Sequence, residues 1–218
     1  MRPTGETRTM TTVAYSRLKD DILAMRLVPR QSLVESELAA MLHMSKTPVR
    51  EALLTLSHDG LVEINEFRGA RVREFDLPEV REIYELRAVL EPLALRRAFP
   101  AMTIELFVEL RRLLDQALAC AEAGDRVRLA EHNRAFHSGL IRCCDNQRLL
   151  GILSQFSDQI RLISLRSWVR QPTYLIEADE HRSILDALEV DHDIERAVEL
   201  LTEHILHFFD RIQEAPRP

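Results

Sequence analysis

Apolar residues recur at helical spacing over most of the chain, but the first third also contains two short runs with the period of a β-strand. Pro29 ends the first apolar segment, and glycine at position 60 suits the C-terminal cap of a later one. The pattern predicts a helix that begins near Tyr15, a helix over residues 35–42, a helix from Ser45 to about Gly60, and a β-hairpin over residues 61–64 and 70–73. Helices and a hairpin in this order predict a winged helix-turn-helix.

From Asp76 onward the apolar spacing is helical almost to the end of the chain. Asp76 and Glu79 are placed as a capping box, and Pro78 lies in the first turn of the helix that they begin. Pro92 lies inside that helix and is expected to kink it. We predict six helices in this part, at about residues 77–98, 104–122, 126–143, 147–169, 175–189 and 194–212.

The predicted fold class is therefore mainly α, with an N-terminal winged helix-turn-helix followed by an all-α helical bundle of about six helices. Residues 1–11 are polar and are expected to form a disordered tail. We place a winged helix-turn-helix domain at residues 12–75 and an all-helical domain at residues 76–213.

Charge is distributed unevenly between the two predicted domains. The whole chain has a net charge of −6, which by itself argues against a nucleic-acid partner. Residues 1–74 carry 11 Lys and Arg against 10 Asp and Glu, whereas residues 75–218 carry 18 against 25. The N-terminal part therefore does not share the net negative charge of the rest, so its charge does not exclude DNA as a partner.

The sequence predicts no association with a membrane. No apolar run approaches the roughly 20 residues that a membrane span needs, and no apolar core of a signal peptide follows Met1. The three cysteines, Cys120, Cys143 and Cys144, show no C-x-x-C spacing. We expect them to be reduced thiols in a cytoplasmic protein.

The N-terminus of the third predicted helix is rich in hydroxyl and cationic side chains, in the segment MSKTPVREALLTL. In a helix-turn-helix the second helix presents these residues to base edges and phosphates. Arg50 has the fork that binds guanine bidentately, Lys46 is a point charge, and Ser45 and Thr47 have hydroxyls for phosphate oxygens. The alternative is that the charges are solvated surface groups of an ordinary three-helix domain.

The predicted hairpin gives this surface a second element. Arg68 and Gly69 lie at its tip, and glycine permits a close approach to the DNA backbone or the minor groove. A hairpin that directly follows the recognition helix is more specific evidence for DNA binding than either element alone.

Three helices of the predicted bundle each carry a histidine on the stripe that faces its core. The segment EHNRAFHSGLI places Asn133 and His137 four residues apart on one helical face. His181 and His204 occupy comparable positions on two later helices. Neutral imidazoles and an amide oxygen suit Zn²⁺ or Ni²⁺. The alternative is that the three histidines are hydrogen-bonded core residues.

The segment LVESELAAMLHMSKTPVREALLTLSHDGLVEINEFRGARV resembles the N-terminal signature of the GntR family of bacterial transcription regulators. The chain departs from that signature at three positions. The family often has Pro-Gly where this chain has Pro29-Arg30, glycine where it has His43, and usually arginine where it has Lys46. A lysine binds as a point charge and not as a fork, which changes the operator base that this position prefers.

The second half is similar to the FCD effector domain of the FadR-type subfamily, and its helix count resembles the VanR-like branch. The resemblance implies a divalent metal bound by Asn133, His137, His181 and His204, with Asn133 in place of the aspartate of many members. It also implies a small carboxylate or sugar-acid effector inside the bundle. Arg87 and Arg161 are the candidates for holding its carboxylate, and the alternative is that either one pairs with a neighbouring glutamate on the surface.

We therefore expect a homodimeric, ligand-responsive regulator that binds a palindromic operator in double-stranded DNA. Binding of the effector would change the spacing or orientation of the two winged domains. One alternative is a metal-dependent hydrolase that uses the three histidines, although no Glu or Asp is obviously placed beside them as a base. Another is a constitutive architectural DNA-binding protein whose bundle only dimerises.

Overall fold

The computed structural model describes residues 9–170 and 172–214, and the chain divides into two units between Glu74 and Phe75. The helices are α1 Met10–Leu23, α2 Glu35–Leu42, α3 Lys46–His58, α4 Leu77–Ala98, α5 Ile104–Glu122, α6 Arg126–Ile141, α7 Gln147–Arg170, α8 Tyr174–Glu189 and α9 Ile194–Glu214. The strands are β1 Val62–Asn65 and β2 Gly69–Val72, and a short 3-10 turn covers Phe99–Ala101. This order confirms the mainly α class with a winged N-terminal unit.

The first helix begins earlier than the apolar pattern predicts. Thr9 is its N-cap, and the Thr9 hydroxyl accepts a hydrogen bond from the backbone N–H of Thr12 at 3.1 Å. The tail expected over residues 1–11 is therefore wrong for Met10 and Thr11, which are helical, while residues 1–8 lie outside the described residues. The side chain of Met10 is 53% exposed, so the first turn contributes nothing to the apolar stripe from which the start was predicted.

The core of the winged unit forms where α1 packs against α3. Leu18 and Ile22 of α1 and Val49 and Leu56 of α3 have no exposed surface, because each lies on the inward stripe of its helix. The apolar face predicted for α3 is thus confirmed. Its opposite face and its N-terminal turn remain open to solvent.

Three described non-glycine residues of this unit lie in the left-handed region. Met25 has φ 57°, Arg30 has φ 69° and His43 has φ 54°. Arg30 and His43 occupy the two positions at which the related signature has glycine, which adopts this conformation without the steric cost of a Cβ atom. His43 lies at the C-cap of α2, where its backbone N–H bonds to the carbonyl of Ala40.

The two strands form an antiparallel hairpin in which Val62 pairs with Val72 and Asn65 pairs with Gly69. Both strands are displaced by one residue from the predicted ranges of 61–64 and 70–73. Leu61 is fully buried in the turn after α3, and its N–H bonds to the carbonyl of Leu56 in that helix. The residue therefore satisfies the apolar pattern without joining the strand.

The described residues of the second unit form a bundle of six helices, α4 to α9, as predicted. The capping box that begins α4 is confirmed, because the Asp76 side chain accepts from the N–H of Glu79 and the Glu79 side chain accepts from that of Asp76, each at 2.9 Å. The helix is continuous through Pro92 from Leu77 to Ala98. Helix α6 ends at Ile141, two residues before the predicted end at residue 143.

Helices α5 and α6 approach each other closely at Gly139. A Cβ atom added at Gly139 would lie 2.7 Å from Cδ2 of Leu110, which has no exposed surface. The close approach fixes the position of the turn of α6 that carries His137. This tight contact lies two residues from His137, one of the candidate metal ligands.

Candidate metal centre and nucleic-acid interface

Three histidines from α6, α8 and α9 meet inside the bundle. The Nε2 atom of His181 lies 3.1 Å from Nε2 of His137 and 3.1 Å from Nε2 of His204. One ring nitrogen from each residue lies within 4.8 Å of the other two. Zinc–nitrogen bonds of about 2.0–2.1 Å in a tetrahedral site separate two nitrogens by about 3.4 Å, so these spacings are close to those of three ligands around one ion. Sequence spacing predicted this cluster, and the structure brings its three imidazoles together.

Two carboxylates contact the outer nitrogens of the cluster. Oε2 of Glu91 lies 2.9 Å from Nδ1 of His137, and Oε2 of Glu180 lies 2.7 Å from Nδ1 of His204. An ionised carboxylate only accepts hydrogen bonds, so each Nδ1 carries a proton, and in a neutral imidazole the Nε2 atom then keeps its lone pair. Neither carboxylate was identified from the sequence, which gave no Glu or Asp obviously placed as a base beside the histidines. The two carboxylates bond to the sides of the rings that face away from the shared centre, where they orient ligands.

A count of protons shows why the cluster fits a cation. With protons on Nδ1, the Nε2 atoms of His137 and His204 are both acceptors that face Nε2 of His181. Neutral His181 can donate from Nε2 to only one of them, and its Nδ1 is buried without a hydrogen-bond partner among the described residues. A divalent ion would satisfy all three lone pairs, and the donor set therefore fits such an ion.

Burial keeps two of the imidazoles neutral. It lowers the pKa of His181 well below 6.5, an effect that the neighbouring His204 and His137 strengthen. Burial also lowers the pKa of His204 to about 4, although its hydrogen bond to Glu180 opposes the shift. Burial disfavours ionisation of Glu180 too, but the hydrogen bonds from His204 and Arg211 outweigh it and bring that pKa to about 2. Neutral imidazoles with ionised outer carboxylates are the protonation states that metal ligation requires.

Arg87, one of the two residues predicted to bind the effector, already forms an ion pair with Glu91. Its Nε donates to Oε1 of Glu91 at 2.6 Å, and its guanidinium lies 4.7 Å from the ring centroid of Tyr84. Arg87 and Glu91 are only 4% and 5% exposed. Burial opposes ionisation of Glu91, but Arg87 and His137 lower its pKa far below the usual range. In this structure Arg87 positions the carboxylate that orients His137.

The second predicted effector ligand, Arg161, is also paired. Its Nη2 donates to Oε1 of Glu131 at 2.6 Å, and its Nε is buried without a partner among the described residues. Arg87 and Arg161 both line the cavity described next, and each already donates to a carboxylate. Each arginine thus pairs with a glutamate, but Arg87 and Glu91 are buried, so the surface pairing considered from the sequence is wrong for Arg87.

A cavity of about 480 Å³ opens beside the histidines, within the size range of small-molecule sites. Asn133 lines it together with the three histidines. Arg134, Ser157 and Glu177 also line it, and they had not been singled out from the sequence. Arg134 directly follows Asn133 in the chain, which is the one local signal that could have drawn attention to it.

Glu177 gives the cavity wall a buried carboxyl group. Its Oε1 accepts from Nε1 of Trp168 at 2.9 Å and from the hydroxyl of Thr173 at 2.6 Å. Burial raises the pKa of Glu177 to about 7, and these two hydrogen bonds limit the rise. The side chain is 3% exposed and lies four residues before His181 on α8.

The predicted DNA-contacting residues of α3 are exposed together at its N-terminus. Ser45, Lys46, Thr47 and Arg50 are all exposed, and the Ser45 side chain makes no capping bond although Ser45 is the N-cap. The fork of Arg50, however, holds Glu35 of α2 through Nε at 2.8 Å and Nη2 at 2.7 Å. The hydrogen bond from Arg50 lowers the pKa of Glu35.

The tip of the hairpin is also open to solvent. Asn65 Oδ1 accepts the backbone N–H groups of Phe67 and Arg68 at 2.9 and 3.2 Å, and Gly69 follows with φ 71°. Arg68 is exposed, and Phe67 is 94% exposed. The cation of Arg71, in contrast, pairs across the strands with Glu63.

Comparisons with known proteins agree with this architecture. The model for bacterial regulatory proteins of the gntR family matches residues 11–72, and the FCD domain model matches residues 82–207. A winged DNA-binding unit followed by an FCD domain defines a DNA-binding transcription regulator. The chain belongs to the GntR family, in the group that carries an FCD domain.

Similar proteins include two curated bacterial regulators. The "Nta operon transcriptional regulator" of Aminobacter aminovorans is 30% identical over 87% of this chain and 88% of its own length. The "Probable D-xylose utilization operon transcriptional repressor" of Paenarthrobacter nicotinovorans is 34% identical over 94% of this chain and 91% of its own. Both are regulators and not enzymes, so the hydrolase alternative finds no support among them.

Solved structures show the same fold. A GntR transcriptional regulator from Rhodococcus sp. RHA1 superposes with a TM-score of 0.83, is 25% identical, and is matched over 95% of this chain and 99% of its own. E. coli McbR/YncC superposes with a TM-score of 0.79 at 23% identity over 94% of this chain and 98% of its own, which supports the fold alone. No described helix is long and apolar enough to cross a membrane.

Proposed function

We propose that this regulator acts as a homodimer on a palindromic operator and that a small organic acid, bound in the metal-binding cavity of the helical unit, changes its affinity for DNA. The observation that carries the proposal is the convergence of three Nε2 lone pairs beside a cavity of about 480 Å³. A constitutive architectural protein has no need of such a cavity. The helix count of the bundle favours the VanR-like branch.

For DNA binding, we propose that α3 enters the major groove with its N-terminal turn and that the hairpin tip follows the neighbouring backbone. Arg50 would leave Glu35 to bind guanine, while Lys46, Ser45 and Thr47 would bind phosphates or a base edge. Arg68 and Gly69 would make the contacts of the wing.

Two substitutions test this assignment by fluorescence anisotropy with a selected operator. Arg50→Ala is expected to lose about 1–3 kcal/mol of binding free energy and to relax the base preference at one operator position. Lys46→Ala is expected to weaken operator and unrelated DNA to a similar extent and to reduce the salt dependence. Unchanged affinity in both variants at physiological salt would refute the recognition-helix assignment.

For assembly, we propose that the exposed face of α4 forms the dimer interface. Leu86, Val89 and Leu93 are 46%, 67% and 44% exposed and recur at helical spacing. A single winged module buries too little surface for tight specific binding, and a two-fold dimer matches a palindrome. Light scattering should report a dimer for the wild type and a monomer for Val89→Glu. Val108→Glu, on the exposed face of α5, is the matched control and should remain dimeric.

For the cofactor, we propose Zn²⁺ or Ni²⁺ held by His137, His181 and His204, with Asn133 as a fourth ligand on the same helix as His137. When bound, such an ion supplies a positive charge that attracts an anionic group. Elemental analysis of untagged protein should find the metal in the wild type and not in His137→Ala. His207→Ala removes an exposed histidine of α9 as a control. No metal in the wild type after incubation with either ion would refute this part.

The route from cavity to DNA would pass through α4. Glu91 and Arg87 of α4 contact the His137 side of the cavity, and α4 begins at Leu77, directly after the winged unit in the chain. An acid bound in the cavity would change the field around this ion pair and bias the position of α4. A screen of small carboxylates and sugar acids should find acids that raise the unfolding temperature and alter operator affinity in the same concentration range.

A further inference from the structure

Four arginines line the cavity, and they differ in their partners. Arg87 pairs with Glu91, Arg142 with Glu109, and Arg161 with Glu131. The fourth, Arg134, makes no ion pair and no side-chain hydrogen bond within residues 9–170 and 172–214.

The environment of Arg134 is unfavourable for an unpaired cation. Burial lowers its pKa, the carboxylate of Asp158 partly offsets this, and the nearby charge of Arg161 lowers the pKa further. A partly desolvated charge without a partner costs free energy, and buried charges in folded proteins are therefore usually paired. An anion in the cavity would supply the missing partner.

The location of Arg134 relates it to the histidine cluster. It lies three residues before His137 on α6, so the two side chains leave the helix one turn apart, with Cβ atoms about 5–6 Å from each other. Asn133, four residues before His137, lies in the same helical turn as Arg134. One helix therefore presents a candidate metal ligand and a free guanidinium to the same cavity.

We propose that Arg134 is the residue that determines effector specificity, and that the effector is a small acid with two acidic groups. One acidic group would face the histidine centre, and the fork of Arg134 would bind the other with two parallel hydrogen bonds. The hydroxyl of Ser157, which is buried on the cavity wall and makes no hydrogen bond within the described residues, would serve as a neutral donor. This inference rests on the proposed function and names the ligand class of that cavity.

The test is isothermal titration of Zn²⁺-loaded and metal-free full-length protein with acetate, malonate, succinate and glutarate. The wild type should bind at least one dicarboxylate about 10-fold or more tightly than acetate. Arg134→Gln should weaken that dicarboxylate by about 10- to 100-fold and leave acetate unchanged. Arg134→Lys keeps the charge and should restore part of the loss. Arg142→Gln, which breaks an exposed pair at the cavity wall, should bind all four acids like the wild type.

A ligand-free measurement separates this role from a structural one. Arg134→Gln removes an unpaired, partly buried cation, so its unfolding temperature without ligand should equal or exceed that of the wild type. A clear decrease would overturn the proposal, as would equal losses for acetate and the dicarboxylates. Metal-dependent acid binding that is indifferent to Arg134 would overturn the proposal and leave the proposed function intact. If the wild type binds none of these acids, this proposal is overturned, and the proposed function is overturned as well only when the screen of small carboxylates and sugar acids also finds no ligand.

Discussion

Replacing Glu91 by glutamine tests the ion pair that supports the histidine cluster. The Glu91 carboxylate accepts from Nε of Arg87 at 2.6 Å and from Nδ1 of His137 at 2.9 Å, and it is 5% exposed. Glutamine keeps the shape and one acceptor but turns the other oxygen into an NH₂ donor. One of the two donors then faces a donor, and the buried guanidinium loses its counter-charge.

The magnitude follows from burial on both sides of the pair. Removing one partner of a buried ion pair costs about 3–5 kcal/mol, and the retained acceptor places Glu91→Gln near the lower end. For a helical unit of this size, 3 kcal/mol corresponds to a decrease of about 6–12 °C in unfolding temperature. The substitution also removes the acceptor that orients His137, which should weaken Zn²⁺ binding by about 10- to 100-fold.

The assay is denaturant unfolding in the presence of a chelator, followed by competitive titration with Zn²⁺. Glu109→Gln is the matched control, because Glu109 also lines the cavity but its pair with Arg142 is exposed, and the loss should stay below about 1 kcal/mol. Because the folded-state pKa of Glu91 is lowered, the stabilisation is present above about pH 4.5 and is lost as pH falls toward that lowered pKa. Equal losses for the two variants at pH 7 would refute the reasoning.

Three further predictions concern backbone fit and one buried acid. Gly139→Ala should destabilise the bundle by about 1–3 kcal/mol, because the new Cβ atom would lie 2.7 Å from Leu110. A Cβ atom at Gly151 would have no other atom within 4 Å, so Gly151→Ala should raise the free energy of unfolding by up to about 1 kcal/mol in the same denaturant assay. His43→Gly should stabilise the winged unit by about 0.5–1 kcal/mol, measured by its thermal transition, since φ at this position is 54°. Burial raises the pKa of Glu177 to about 7, so the folded state binds its proton more tightly than the unfolded state does. The free energy of unfolding of the wild type, measured relative to that of Glu177→Gln, should therefore fall as pH rises from 4.5 to 7 and then level off. An equal difference at pH 5 and pH 8 would contradict this.

Local periodicity was sufficient for the helices and the three histidines, because each histidine lies on an apolar stripe that has to face the core. It could not reveal Glu91, which contacts His137 from a helix 46 residues earlier in the chain. The lack of an ion-pair partner for Arg134 likewise depends on tertiary structure, because it depends on which carboxylates pair with the other arginines of the cavity. The start of α1 was misplaced because it depends on the hydroxyl of Thr9 and not on an apolar residue.

The pair between Arg50 and Glu35 has a consequence for how such a regulator would find its operator. If Arg50 binds guanine as we propose, any DNA sequence must compete with the carboxylate of Glu35 for the Arg50 guanidinium. The pair is exposed, so breaking it costs little, but Glu35 then remains near the phosphates as a like charge. A guanine in the right place compensates for this repulsion, and other sequences do not. With about 10⁶–10⁹ competing sites in a genome, an acidic residue beside the recognition helix would shorten non-productive encounters and raise discrimination at the expense of affinity.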